Sequence, residues 1–217
     1  MQFETEHGAL DVTIDQLIIA GWTGRDAAAV QHHIDELAAI GVAPPSEVPL
    51  YYRVSRSLLT TDPVVEVLGE HSSGEAEPMI LRQGDDLWLG LGSDHTDREL
   101  EATSVAASKQ VCPKPCSTGL WSYDSVAGHL DQITVRSWIE ETGAWVLYQD
   151  GALSGLRPLD GLRAGVQMAD RSAMMCGTFG AIGGVRPASK FRATMTDPVL
   201  GREITMTYEA RSLPVIA

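Results

Sequence analysis

Glu203-Ile204-Thr205-Met206-Thr207-Tyr208-Glu209-Ala210 puts Ile204, Met206, Tyr208 and Ala210 on alternate positions with polar or charged side chains between them. Successive side chains of a strand point to opposite faces, so this stretch predicts a strand with one face in a core and the other in water. Working outward, residues 50–54, 64–68, 79–81, 87–91 and 103–106 are short runs set apart by polar or glycine-containing turns, and each predicts another strand. Residues 131–140 and 144–149 flank Glu141-Thr142-Gly143, the pattern of a hairpin. Helices are fewer. Over residues 26–40, Ala27, Val30, Ile34, Leu37 and Ala38 recur at helical spacing, with Thr23 or Asp26 available as cap and Gly41 as stop. Residues 159–168 predict a second, shorter helix. The expected fold is mainly β with a few short helices, its strands packed as a sandwich or roll.

The chain has 217 residues, enough to bury a substantial core, and a single domain over 1–217 is expected. Pro44-Pro45 marks a turn, and the glycine-rich stretch from Gly177 to Gly184 is too short and too apolar at its edges for a flexible tether. A formal charge of −13 argues against nucleic acid or an anionic membrane as partner, because either would need a basic surface. The start, Met1-Gln2-Phe3-Glu4-Thr5-Glu6, has neither the basic nor the apolar region of a secretory signal, and no apolar run is long enough to cross a bilayer. Three cysteines fit a reducing cytoplasm better than a disulfide framework. Cys112 and Cys116 in Cys112-Pro113-Lys114-Pro115-Cys116 lack CxxC spacing and read as buried or incidental thiols.

Glu75-Ala76-Glu77 carries the chemical signal. In a strand, positions i and i+2 share a face, so both carboxylates would meet at one point. Like charges held that close repel unless a cation lies between them, and carboxylate oxygens suit a hard ion. Mg²⁺ or Mn²⁺ is the inferred metal. The pair follows the loop-like His71-Ser72-Ser73-Gly74 and precedes Pro78 and an apolar run, a junction where functional groups often stand. Upstream, His33 and Glu36 are three apart on the expected helix and therefore neighbours. A carboxylate beside an imidazole orients it and raises its basicity, the arrangement of a general base.

The order of these motifs resembles the fumarylacetoacetate hydrolase superfamily from about residue 21 to 210, and more closely a branch known as a domain of unknown function. Gly24-Arg25-Asp26 followed by His33-Ile34-Asp35-Glu36 is similar to that superfamily's N-terminal lid, whose His and Glu activate water. The segment from Leu50 to Leu58 is similar to its aromatic, Lys-Pro and Ser-x-Leu region, with Arg53 where lysine is usual. Glu75-Ala76-Glu77 fits its metal motif, and Ser93-Asp94-His95-Thr96-Asp97-Arg98 resembles the segment that supplies the third carboxylate. The resemblance implies Asp94 as that ligand, with Asp97 as the alternative. Lys109 resembles a lysine ahead of a proline-containing run, Gln149-Asp150-Gly151 a turn near the substrate, and Gly177-Thr178-Phe179-Gly180-Ala181-Ile182-Gly183 the glycine-rich loop, with Phe179 in place of proline.

The resemblance implies a fumarylacetoacetate hydrolase-like mixed β-sandwich/roll, a homodimer, and a small-molecule 2-oxo acid or acylpyruvate substrate. Mg²⁺, or Mn²⁺, would be held by Glu75, Glu77 and Asp94. His33 with Glu36 and Lys109 would be catalytic, while Arg53, Arg98, Gln149, Gly177 and Thr178 would bind substrate. The implied reaction is hydrolytic cleavage of a carbon–carbon bond through a stabilised enolate. Decarboxylation, isomerisation or hydration by the same enolate chemistry is the alternative, and a non-catalytic small-molecule binding protein of the same fold is a third.

Overall fold

A computed structural model of the chain describes residues 1–39 and 43–216, apart from the side chains of His33, Glu36, Leu37 and Ala39. The strands are β1 (Gln2–Thr5), β2 (Gly8–Asp11), β3 (Gln16–Gly21), β4 (Leu50–Val54), β5 (Leu59–Thr60), β6 (Val64–Leu68), β7 (Ser72–Ser73) and β8 (Ala76–Gln83). They continue with β9 (Asp86–Ser93), β10 (Thr96–Asp97), β11 (Lys114–Ser122), β12 (Thr134–Glu141), β13 (Ala144–Ala152), β14 (Ser172–Met175), β15 (Lys190–Asp197) and β16 (Arg202–Leu213). The helices are α1 (Ala27–Ala39), α2 (Arg98–Glu101), α3 (Val105–Gln110), α4 (Tyr123–Val126) and α5 (Leu159–Gly165).

Among the described residues the larger sheet runs β2-β1-β11-β9-β8-β14-β3-β4, and β5 pairs with β11. Because the chain passes from β4 into β5, that last pairing brings the far end of the sheet back to β11. The sheet is thereby rolled. Its concave face holds one core that joins Phe3 and Leu120 from one end to Leu17, Ile19 and Val54 from the other, with Met79, Leu81 and Met175 between. Glycines leave room for side chains inside it: a Cβ on Gly90 would meet the Leu120 Cδ2 at 2.7 Å, and one on Gly92 the Met175 Cε at 2.8 Å, so either side chain would have to shift.

The smaller sheet, β13-β12-β15-β16-β6, lies against the convex face. Ile18, Ile80, Leu89, Leu91 and Met174 of the roll share a second core with Val135, Ile139, Tyr148, Phe191, Met195, Ile204 and Tyr208. The alternation in residues 203–210 is what supplies this face, and β16 pairs with β15 antiparallel and with β6 parallel. The hairpin forms as expected: Glu141 pairs with Ala144, and Thr142 and Gly143 both take positive φ, the backbone of a tight two-residue turn.

Several spans differ from expectation. Residues 103–106 are not a strand: the Ser104 side chain accepts the Ala107 N–H and starts α3. Residues 127–132 form a 3-10 turn, so the strand expected from 131 begins at Thr134. Ser72 and Ser73 are paired with β10 rather than looped. The first helix is capped by Asp26, whose carboxylate accepts the Ala28 and Ala29 amides. On that helix Ile34 is buried and Val30 half-buried, but Ala27 and Ala38 are exposed. The expected stop, Gly41, lies outside the described residues.

Candidate metal centre

The start of β8 and the end of β9 lie side by side, with Ala76 opposite Ser93 and Glu77 opposite Gly92. Glu75 stands just before β8, and its N–H donates to the Ser93 hydroxyl at 3.2 Å. Asp94 follows β9, and its N–H donates to the Glu75 carbonyl at 3.0 Å. These bonds bring three carboxylates together at one end of the roll. Ligand oxygens of Glu75, Glu77 and Asp94 all lie within 4.8 Å of one another, with Glu77 only 2 % and Asp94 0 % exposed. Asp97 is elsewhere engaged: its carboxylate accepts the Glu99 and Leu100 amides and caps α2.

Each carboxylate is held from outside the cluster. One Glu77 oxygen accepts the Gly177 N–H at 2.8 Å. Gly177 has φ +98, and a Cβ there would fall 1.7 Å from the Thr23 hydroxyl oxygen, so only glycine fits. Glu75 is paired with Arg98 at 3.2 Å, while the same guanidinium bonds Glu101 and the Ser73 hydroxyl. Lys109, in the last turn of α3, donates to Asp94 Oδ2, and its Nζ lies 5.6 Å from the Tyr52 ring centroid. The other oxygen, Asp94 Oδ1, is buried and has no hydrogen-bond donor among the described residues, although Lys114 Nζ is 3.3 Å away.

Electrostatics separate the three acids. Burial, and then the charges of Asp94 and Glu75, hold the Glu77 carboxyl well above the usual glutamate range. Burial alone would raise Asp94 too, but Lys109 and Lys114 outweigh it and keep that group ionised. Burial lowers Lys109, whereas Asp94 and Glu75 more than restore it, so its ammonium stays charged. An all-oxygen donor set, a buried Asp94 oxygen without a hydrogen bond and a carboxyl driven towards its neutral form by burial and then by its acidic neighbours together fit a hard divalent cation. Glu75, Glu77 and Asp94 are the residues that would hold it.

Gln149 and Thr178 are close to this frame. Gln149 Oε1 accepts the Ala76 N–H at 2.9 Å and the Ser137 hydroxyl at 2.7 Å, while its amide donates to Thr178 and to the Phe179 carbonyl. Thr178 donates in turn to the Ala76 carbonyl at 2.9 Å. Both side chains therefore clamp the residue between the two glutamates. Arg53 is exposed on β4; its neighbour Tyr52 faces Lys109, so by strand alternation Arg53 points the other way. The side chains of His33 and Glu36 lie outside the described residues.

Sequence reasoning missed a supporting layer. Tyr208 bridges Ser93 and His95 through its hydroxyl, at 2.9 and 2.8 Å, and His95 reaches Ser72 at 2.8 Å. Burial, helped by Lys114 and Arg98, pushes the His95 imidazole down to about 3, so it is a neutral spacer. Thr23, which packs on Gly177, was singled out only as a possible helix cap. Lys114 sits in the Cys-Pro-Lys-Pro-Cys segment, where only the thiols drew notice. All three cysteines are free and buried, and burial lifts Cys112 to about 11 and Cys116 to about 12.

A family model described as "Protein of unknown function (DUF2848)" matches residues 20–208. No curated protein matches the chain. Among solved structures, a hexagonal crystal form of 2-keto-3-deoxyarabinonate dehydratase is similar with a TM-score of 0.65 at 12% identity, over 94% of this chain and 75% of that one. 2-keto-3-deoxy-D-arabinonate dehydratase complexed with magnesium and 2,5-dioxopentanoate gives 0.63 at 11%, over 94% and 75%. Cg1458 gives 0.62 at 11%, over 93% and 78%. These likenesses show a shared fold, the mainly β, fumarylacetoacetate hydrolase-like mixed sandwich and roll.

Proposed function

This chain belongs to the DUF2848 family, and since that description assigns no activity, we propose from the site itself that the protein is a Mg²⁺- or Mn²⁺-dependent enzyme of the fumarylacetoacetate hydrolase superfamily acting on a 2-oxo acid. One observation carries this reading: three carboxylates converge within 4.8 Å, two of them buried, beside a lysine bonded to one of them. Glu75, Glu77 and Asp94 would hold the divalent ion, which would supply Lewis-acid polarisation of a substrate carbonyl.

The chain's own groups do the rest. Lys109 balances the excess negative charge of three carboxylates and presents a donor for oxygen that gains charge during the reaction. Gly177 and the Gln149–Thr178 clamp fix the two glutamates. Arg98 is committed to Glu75, Glu101 and Ser73, which makes it an orienting residue for Glu75 as much as a substrate contact. His33, supported by Glu36, is proposed to take a proton from water on the helix that begins at Ala27, four residues beyond Thr23. Carbon–carbon bond hydrolysis of an acylpyruvate follows from that base. A second reading, dehydration of a 2-oxo-3-deoxy sugar acid, is favoured by the similar dehydratase that carries magnesium and 2,5-dioxopentanoate.

Product analysis decides between them. The protein is incubated with Mg²⁺ and, separately, an acylpyruvate, oxaloacetate and a 2-oxo-3-deoxy sugar acid. Release of pyruvate from the acylpyruvate, abolished by Glu75→Gln and reduced about a hundredfold by His33→Ala, supports hydrolysis. Turnover of the sugar acid alone supports the second reading. Binding of a 2-oxo acid without turnover of any of the three would sink both. We further propose a homodimer, which static light scattering tests.

A further inference from the structure

Lys114 opens β11 with a side chain that has no exposure at all. Its ammonium donates to three main-chain carbonyls, those of His95 at 2.6 Å, Lys109 at 2.6 Å and Cys112 at 3.0 Å. All three of its protons are thereby used. The bond to His95 grips the residue directly after Asp94. The bond to Lys109 grips the last turn of α3, where carbonyls lack helical partners and the helix dipole favours a positive charge, and the bond to Cys112 grips the loop just after it. The same Nζ is 3.3 Å from Asp94 Oδ1, the oxygen that lacks a hydrogen bond.

A buried lysine is costly, and this one is held where it is by the geometry of two segments that must meet. One carries Asp94. The other carries Lys109, which bonds the opposite oxygen of the same carboxylate. We propose that Lys114 is a positioning residue of the metal centre: by tying the Asp94–His95 turn to the end of α3, it fixes the Asp94 carboxylate on Lys109 and within reach of Glu75 and Glu77. The inference rests on the metal-site reading above and deepens it. Lys114 does not touch substrate.

The sign of the effect separates positioning from mere charge. Lys114→Met removes a cation from beside Asp94, one of the three clustered carboxylates, so a lysine acting only through its charge would, when lost, let Mg²⁺ bind more tightly. Positioning requires the reverse. Calorimetric titration of the whole protein with Mg²⁺ alone, and with Mn²⁺ alone, is expected to show about tenfold or greater weakening in Lys114→Met, the loss typical of a group that orients a ligand. Lys114→Gln, neutral but able to donate two hydrogen bonds to the carbonyls, is expected to fall between Met and wild type. Unchanged or tighter binding in either variant with a wild-type circular dichroism spectrum would overturn the inference. Should both variants fail to fold, the wild-type protein decides: the ¹H–¹⁵N signal of the Lys114 ammonium is expected to shift when Mg²⁺ is added, and a signal that does not move overturns it. Wild-type protein that binds neither ion would instead remove the metal-site reading itself, and Lys114's role with it.

Discussion

Gly177→Ala tests how tightly the fold presents Glu77. The new methyl would stand 1.7 Å from Thr23 Oγ1 and 2.9 Å from Thr23 Cβ, on a backbone with φ +98. The conformation alone costs a residue with a side chain of order 1–3 kcal/mol. Overpacking a filled site adds about 1–3 kcal/mol, so the variant should lose roughly 2–6 kcal/mol of stability in all. For a chain of this length each kcal/mol lowers the melting temperature by about 2–4 °C, giving a drop of roughly 5–20 °C. Urea unfolding measures the first figure and differential scanning calorimetry the second. The clash has an internal control. Thr23→Ala removes the hydroxyl but leaves Cβ, so adding it to Gly177→Ala should recover about 1 kcal/mol relative to its effect in the wild type. Because the Gly177 N–H holds Glu77, Mg²⁺ affinity should fall along with stability and recover along with it. Gly177→Ala within about 1 kcal/mol of wild type, with no coupling to Thr23→Ala, would refute this account of the glycine.

Three other outcomes are expected. Gln149→Leu leaves the buried Ala76 N–H without an acceptor and should cost about 1–3 kcal/mol in urea unfolding while weakening Mg²⁺ binding; a variant unchanged in both would show that the clamp is incidental. Glu77→Gln removes a buried member of three converging carboxylates, so metal-free protein should melt higher than wild type in a chelator but no longer bind Mg²⁺; a lower melting temperature in chelator would count against strain at this site. Asp197 is buried, and although burial alone would raise its carboxyl, bonds from His129, the Leu200 and Val199 amides and Arg202 hold it below the ordinary aspartate range. A depressed folded-state value stabilises the protein above the unfolded value near pH 4 and is lost as pH falls below it, so the stability gap between wild type and Asp197→Asn should shrink from about pH 6 to pH 3; a constant gap would contradict it.

What the sequence showed and what it hid follow one physical line. The smaller sheet has one face in water, so β16 alternates and the hairpin at Thr142-Gly143 has its turn residues on display. The rolled sheet buries both faces. In β3, Leu17 and Ile19 enter one core while Ile18 enters the other, and the resulting continuous apolar run carries no period that marks it as a strand. β14 hides for the same reason. β11 hides for the opposite one, because Lys114, Pro115 and Ser117 make a buried strand look like a loop. Residues 103–106 misled because their apolar content drew attention from Ser104, the cap that starts α3. Asp97 was separable from Asp94 in principle, since an aspartate just ahead of a short acidic helix is a familiar cap.

The same line runs through the candidate site. Glu75 and Glu77 were legible because repulsion between acids at i and i+2 needs an explanation wherever the fold places them, and that argument depends on spacing alone. The roles of Gln149 and Thr178 were not legible, because a polar residue beside a glycine-rich turn looks identical whether its hydrogen bonds are open to a ligand or spent inward. Here they are spent on Ala76. Lys114 is the limiting case. A lysine between prolines reads as surface, and only the meeting of His95, Lys109 and Cys112 carbonyls, contributed by a turn, a helix end and the loop after it, makes burial of its charge tolerable. Composition records the residue but not that meeting. Acids that cluster announce themselves by their mutual repulsion, whereas a buried cation that relieves such a cluster is satisfied in the folded state and leaves no conflict to detect. For a site of this kind, the clustered acids are read from sequence and the groups that hold them still are read from the fold.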